Sequence, residues 1–263
     1  RVVLASSQSS DFAGSSRFVS AVVRVPRPET HYSAWALQLQ IAVARFGARL
    51  IVPAAEETFY CEKAHGLIEA ATSCRVFTHG SLELLETLHN KWRFFQLMRQ
   101  LLASSAVEEQ KIVQLPDTHH IESVADFKAL QRKSSVIIKP CFSRGGVSAL
   151  LAAPDAAPRA RGAKQDTSDD WSLLESFLLQ HGPCVVQEYI LGENLSTLAI
   201  AIEGEIVATC CYKVLFTSEE SGFGPVRQSC EVKAVTDFVH AIVGHTRFTG
   251  LIGFDFMESA SSG

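Results

Sequence analysis

No apolar run in this chain of 263 residues approaches the roughly 20 residues needed to cross a bilayer. No charged-then-apolar leader opens it, so neither a membrane span nor a secretory address is expected. A large charge of one sign is also missing. A net charge of −4 gives no reason to expect nucleic acid or an anionic membrane surface as a partner. The seven cysteines, Cys61, Cys74, Cys141, Cys184, Cys210, Cys211 and Cys230, contain no CxxC pair, and several stand inside apolar strand-like runs. They read as reduced core residues of a cytoplasmic protein rather than as a disulfide frame or a zinc site. No Ser/His/Asp or Cys/His arrangement suggests a side-chain nucleophile. What remains is 47% apolar and 20% charged residues, the balance of a globular protein, at a length that favours two lobes. Arg1 runs straight into Val2, Val3 and Leu4, and the chain stops at Ser261, Ser262 and Gly263, so both ends are expected to be cuts in a longer protein.

Strand-like and helix-like stretches alternate along the first part. Strands are predicted at 1–5, at 19–25, closed by Pro26 and Pro28, and at 50–52; helical spacing runs over 33–46 with Gly47 as its stop. Short continuous apolar strands between helices argue for a parallel sheet. Glu56 and Glu57 lie where such sheets place ligands, but they read first as a solvated start to the helix through Leu67. Further on, helices are predicted at 81–88 and 92–102, a strand at 111–115 ended by Pro116, and a helix at 121–130. His119 and His120 are expected in a polar loop, facing water. Residues 154–170 lose all periodicity and read as a surface insertion. A helix at 171–179 and a strand at 184–190 lead to an antiparallel hairpin, 196–202 with 206–212, joined by Glu203, Gly204 and Glu205. A helix face at 235–243, broken by Gly244, and a strand at 250–257 finish the pattern.

One stretch, 134–146, concentrates the chemistry. Val136, Ile137 and Ile138 make a buried strand that Pro140 stops, leaving the cation of Lys139 at its end. Ser143, Arg144, Gly145 and Gly146 follow, a composition whose backbone N–H groups can close on an anion, and a strand at 147–152 makes this loop a hairpin tip. A turn beside an exposed lysine is the plain alternative. Lys91 stands just inside a helix that Asn90 can cap, where a cation opposes the helix dipole; a nearby phosphate would explain it, and an ordinary exposed lysine, at a cost of a few tenths of a kcal/mol, is the plain alternative. Asp255, between Phe254 and Phe256 on an alternating strand, must face away from both, toward water, a cation or a metal.

Four segments in this order, NKWRFF at 90–95, VIIKPCFSRGGVSAL at 136–150, VVQEYILGENLS at 185–196 and FTGLIGFDFM at 248–257, resemble the ATP-grasp family of carboxylate-amine ligases, with biotin carboxylase, carbamoyl phosphate synthetase and the D-alanine ligases among its members. The resemblance implies a mixed α/β and α+β fold in which two α+β lobes clamp ATP. It divides the chain into a partial Rossmann-like domain at 1–85, a small lobe with connecting helix at 86–190, and a large lobe at 191–263. It implies that Lys91 and Lys139 contact phosphates, and that Ser143, Arg144, Gly145 and Gly146 form the covering flap. Glu188, Tyr189, Ile190 and Leu191 would read the adenine edge and Glu193 the ribose. Arg144 and Lys213 would act in catalysis, Lys213 at the γ-phosphate, and Asp255 would bind magnesium. The family carries a further acid and an asparagine on a strand beyond Asp255, which Glu258 is too close to replace, so turnover by this stretch alone is in question.

The chemistry so implied is activation of a carboxylate by ATP with Mg2+ to an acylphosphate, then attack by an amine or another nucleophile. The substrates are small molecules whose identity is not readable, and the oligomeric state is open. A nucleotide-binding or regulatory module that keeps the clamp without turnover is the alternative.

Overall fold

The computed structural model describes residues 1–8, 12–103, 113–143, 148–154, 156–160, 171–216 and 226–259. The chain divides into two compact units, Arg1–Leu85 with Thr249–Leu251, and Glu86–Phe248 with Ile252–Gly263.

In the first unit β1 (Val2–Ser6) pairs in parallel with β2 (Val19–Arg24). The helix after them, α1 (Pro28–Phe46), starts earlier than its apolar spacing predicts. Pro28 does not close the strand but occupies the first helical turn, where its missing N–H costs nothing. The helix carries a kink at His31 (φ −136°, ψ 49°), which no sequence signal marked. Gly47 ends α1 in the left-handed conformation (φ 60°), as predicted. Then β3 (Leu50–Ile51), α2 (Glu57–Ala71) and β4 (Arg75–Val76) complete a second parallel pair. Trp35 and Leu39 of α1 pack on Cys61, Ala64 and Ile68 of α2 in the core of this unit. The helix α3 (Leu82–His89) spans the division between the units.

The second unit opens with α4 (Lys91–Ala103), followed by β5 (Thr118–Ile121), α5 (Val124–Ala129), β6 (Val136–Pro140), β7 (Leu150–Ala152), β8 (Arg159–Ala160), α6 (Ser172–His181) and β9 (Cys184–Glu188). The five strands form an antiparallel sheet in the order β5-β9-β6-β7-β8. Val136, Ile138, Cys184 and Val186 point to one face, where Phe127 of α5 and Leu174, Phe177 and Leu178 of α6 bury them. The strand expected before Pro116 lies after it: 113–117 are not strand, and 111–112 fall outside the described residues. His119 and His120 are therefore on β5 rather than in a loop. His119 is exposed and 3.2 Å from Asp117, while His120 is half-buried and stacks on Trp92 at 5.4 Å. The segment expected to be a structureless insertion contributes β8, and Arg132 donates to the carbonyls of Ala153 and Ala156 at its start.

The remaining elements, β10 (Gly192–Ile202), β11 (Glu205–Phe216), β12 (Val226–Cys230), α7 (Lys233–Thr246) and β13 (Gly250–Ser259), build a second sheet in the order β12-β11-β10-β13. The predicted hairpin is present with a two-residue turn; Glu203 (φ 51°) and Gly204 (φ 90°) both take positive φ, and Glu205 already pairs with Ile202. Gly244 does not break α7, which runs on to Thr246 and stops where Arg247 turns left-handed (φ 50°). One interior glycine costs only about 1 kcal/mol of helix propensity, less than the burial of Val239, Ile242 and Val243 returns. The strand β12 has no counterpart in the sequence reading.

Candidate functional site

The start of α4 is fixed twice. Asn90 Oδ1 accepts from the N–H groups of Trp92 (3.0 Å) and Arg93 (3.1 Å), capping the helix as its position predicts. The Lys91 N–H donates to the Cys141 carbonyl at 2.9 Å, which ties the helix to the chain leaving β6. From there Lys91 Nζ donates to the Ser143 carbonyl (2.7 Å) and to Ser143 Oγ (2.9 Å), and Ser143 Oγ donates to the Pro140 carbonyl (3.3 Å). Burial, and next the charge of Lys139, push the Lys91 ammonium down to about 8. Both of these Ser143 acceptors are neutral oxygens.

Lys139 lies one residue inside β6 rather than at its end, opposite Val185 of β9. Directly opposed residues share a face, so Lys139, Ile137, Val185 and Gln187 point away from the core under α5 and α6. Lys139 Nζ donates to Gln187 Oε1 at 3.0 Å, and Gln187 Nε2 donates to Thr118 Oγ1 at 3.2 Å. This chain fixes the Gln187 amide with its oxygen toward the lysine. Gln187 and Thr118 went unnoticed in the sequence; the period of two along VVQEY was the signal that would have put Gln187 beside Lys139. Two ammonium groups thus share one half-buried region beside a helix N-terminus, an arrangement that favours an anion.

At the end of β9 the Glu188 N–H donates to the Asp117 carbonyl and the Tyr189 N–H to the Ser135 carbonyl, both at 2.9 Å. Those two amides are committed to the protein, whatever their carbonyls do. Ile190 is half-buried, and Leu191 is 73% exposed.

In the second sheet Asp255 Oδ1 accepts a 2.6 Å hydrogen bond from Ser196 Oγ. Its neighbours Phe254 and Phe256 pack the other way, Phe256 against Phe238 of α7, which is the alternation expected. Lys213 stands opposite Leu195, a buried residue under α7, and its ammonium donates to Glu193 (2.6 Å) and Glu258 (3.0 Å). Those bonds, Glu193 first, hold its pKa well above the usual lysine range. The structure therefore joins Lys213 to Glu193 and Glu258 on the α7 side, and Asp255 to Ser196 on the other. Ser196, not singled out in the sequence, is the residue that shares the face of Asp255. Among the described residues no group of three or more His, Cys, Asp or Glu side chains is gathered for a metal ion. Arg144, Gly145 and Gly146 lie outside the described residues.

A cavity of about 370 Å³ opens at the far end of the first sheet, among Asp117, His119, Arg132, Val136, Val186 and Glu188. Val136 and Val186 belong to the face packed on α5 and α6, so this cavity is not the lysine region.

No family model matches the sequence, and no curated protein does. Solved structures do match. An L-amino acid ligase from Bacillus licheniformis is similar at 14% identity and TM-score 0.59 over 96% of this chain. A biotin carboxylase from Campylobacter jejuni, solved as a β-γ-ATP complex, is similar at 12% identity and TM-score 0.65 over 98% of it. An N5-carboxyaminoimidazole ribonucleotide synthetase, solved with ADP, is similar at 9% identity and TM-score 0.59, also over 98%. This chain spans 56% of the first two and 60% of the third. These likenesses, all well under 25% identity, show the fold: the chain has the ATP-grasp fold.

Proposed function

We propose that this chain binds an adenine nucleotide with its phosphates against Lys91 and Lys139, as part of a protein that activates a carboxylate as its acylphosphate and joins it to an amine or another nucleophile. The observation that carries this reading is the pair of half-buried lysines, one lowered in pKa by burial and next by the charge of the other, in a fold whose solved relatives include nucleotide complexes. The adenine edge would meet the end of β9. With the Glu188 and Tyr189 amides already bonded, the N–H groups of Ile190 and Leu191 and the Tyr189 carbonyl are the groups offered to it, and the exposed Leu191 side chain can cover the ring.

In such a reaction the protein supplies position and charge compensation rather than a nucleophile. Lys91 and Lys139 take up negative charge on the transferring phosphoryl group, Ser143 and Gln187 hold the two ammonium groups in place, and Arg144, Gly145 and Gly146 would cover the phosphates as a flap. Asp255 fits a magnesium ion held mainly by water and phosphate oxygens, because Ser196 occupies one carboxylate oxygen and leaves the other. Such an ion spreads charge from the transferring group. Glu193 and Lys213 serve this reading less directly, as an ion pair on the α7 side that sets the start of β10.

One observation favours the second reading, a nucleotide-binding module without turnover: among the described residues Asp255 belongs to no group of three or more His, Cys, Asp or Glu side chains that would fix a metal. Phosphate release measured with ATP, magnesium and pools of amino and hydroxy acids separates the two. Release that rises when carboxylate and nucleophile are supplied together supports the ligase; saturable binding with no release in any pool supports the module.

A further inference from the structure

Away from the lysines, the second sheet sets two thiols against each other. Cys211 of β11 and Cys230 of β12 are direct partners in the antiparallel ladder, and the Cys230 thiol donates to Cys211 Sγ at 3.6 Å. Directly opposed antiparallel residues have Cα atoms about 4.5 or 5.5 Å apart, according to the pair type, and both values lie in the range of about 4.4–6.8 Å that a disulfide spans. Bond formation therefore needs the sulfurs to close from 3.6 Å to about 2.0 Å, within reach of side-chain rotation on an unmoved backbone.

The surroundings suit the oxidised form. Cys211 is buried beside Leu195 and Val235, and Cys230 is half-buried against the same cluster, with Val232 and Phe256 alongside. No charge is stranded when the two polar thiol hydrogens leave. Cys210 is exposed but is the neighbour of Cys211 on an alternating strand, so it points to the opposite face and cannot compete. On the other side of the pair, β12 is an edge strand, exposed at Val226, Arg227, Gln228 and Ser229, that pairs with β11. It brings Arg227 to 4.9 Å from the ring of Tyr212.

We propose that Cys211 and Cys230 are a reversible oxidation site, closing to an intrachain disulfide that clasps β12 to β11. The proposal is independent of the nucleotide reading. A peroxide is the oxidant class that the half-buried pair admits. Burial holds the Cys211 thiol above the ordinary cysteine range, so the first attack falls to Cys230. Its sulfur forms a bond to one peroxide oxygen as the O–O bond breaks, a water leaves, and Cys230 becomes a sulfenic acid. The Cys211 sulfur then attacks the Cys230 sulfur; the S–S bond forms, the S–O bond breaks, and the departing hydroxide takes the Cys211 proton as a second water. A dithiol reverses the bond by exchange and is itself released as a cyclic disulfide.

The test uses the Cys210→Ser chain, which lacks the exposed thiol and retains six of the seven cysteines. After hydrogen peroxide at a small excess, thiol titration should fall from six to four, peptide mapping without reductant should find Cys211 joined to Cys230, and dithiothreitol should restore all six. Cys230→Ala in that background, checked for unchanged circular dichroism, should abolish the cross-link. A cross-link between any other pair, oxidation of Cys230 to the sulfinic acid with Cys211 still a thiol, or no change at either cysteine while others react would each overturn the proposal.

Discussion

Lys91 holds an ammonium where water is scarce and a second ammonium is near, and its pKa follows. Below about pH 8 the group is charged in the folded chain, and it stays charged in the unfolded chain up to about 10.4. Between these values the unfolded state binds more protons, so this residue makes the empty chain more stable as pH rises through that window. A bound phosphate reverses the preference by favouring the charged form. Nucleotide affinity should therefore be flat below about pH 7.5 and fall, by up to about tenfold per pH unit, above pH 8. The phosphate itself, with a second pKa near 6, is fully ionised throughout this window. Titrations of ADP across pH 7 to about 9.5 check this; Lys91→Met should weaken binding and remove the slope, and an unchanged affinity over the range would contradict the assignment. Lys139 was legible as the cation of a buried strand, although it stands one residue inside that strand and not at its end. The coupling of Lys91 to it was not, because the two are brought together only when the Cys141 carbonyl takes the Lys91 N–H.

Between elements, β10 and β13 approach each other closely at Gly192. A Cβ at Gly192 would overlap the Glu258 carbonyl, a backbone atom that cannot yield without moving the strand. Gly192→Ala should cost about 1–3 kcal/mol, read as a lower midpoint in urea unfolding. Gly66, exposed within α2 and with open space around its would-be Cβ, is the control: Gly66→Ala should stabilise by about 0.5–1 kcal/mol. A gain of stability at both positions would mean that helix and strand propensity, not the close approach, sets the outcome. Elements with a clear period were legible. The Asn90 cap, the strand over Val136 to Ile138 and the Glu203, Gly204 turn each combine a local rule with an apolar pattern. Those without one were not. β12 is VRQSC, exposed over four of its five residues, so no alternation marks it. β5 is THHI, in which polar residues occupy positions that only its pairing with β9 makes into a strand. The Lys213 ion pairs depend on β10, β11 and β13 meeting, and no stretch of sequence contains that meeting.

Across the whole molecule, fold and function rest on different footings. The fold is shared with ligases at 14% identity or less in the comparisons above, and a fold hosts more than one activity, so the functional reading stands on Lys91, Lys139 and their neighbours. A ligand that binds only the folded chain stabilises it by mass action, about 2.7 kcal/mol at a hundredfold excess over Kd, so melting should rise with ADP and magnesium in step with the measured affinity. The most direct measurement is calorimetric titration of ADP with magnesium into the chain and into its Lys139→Met variant, which keeps the stem's packing and removes the charge. One site per chain is predicted, with affinity about 10- to 100-fold lower in the variant at unchanged circular dichroism, the loss of a hydrogen bond to a charged group. Equal affinity in the two proteins, or no binding heat from a folded wild-type chain, would contradict it.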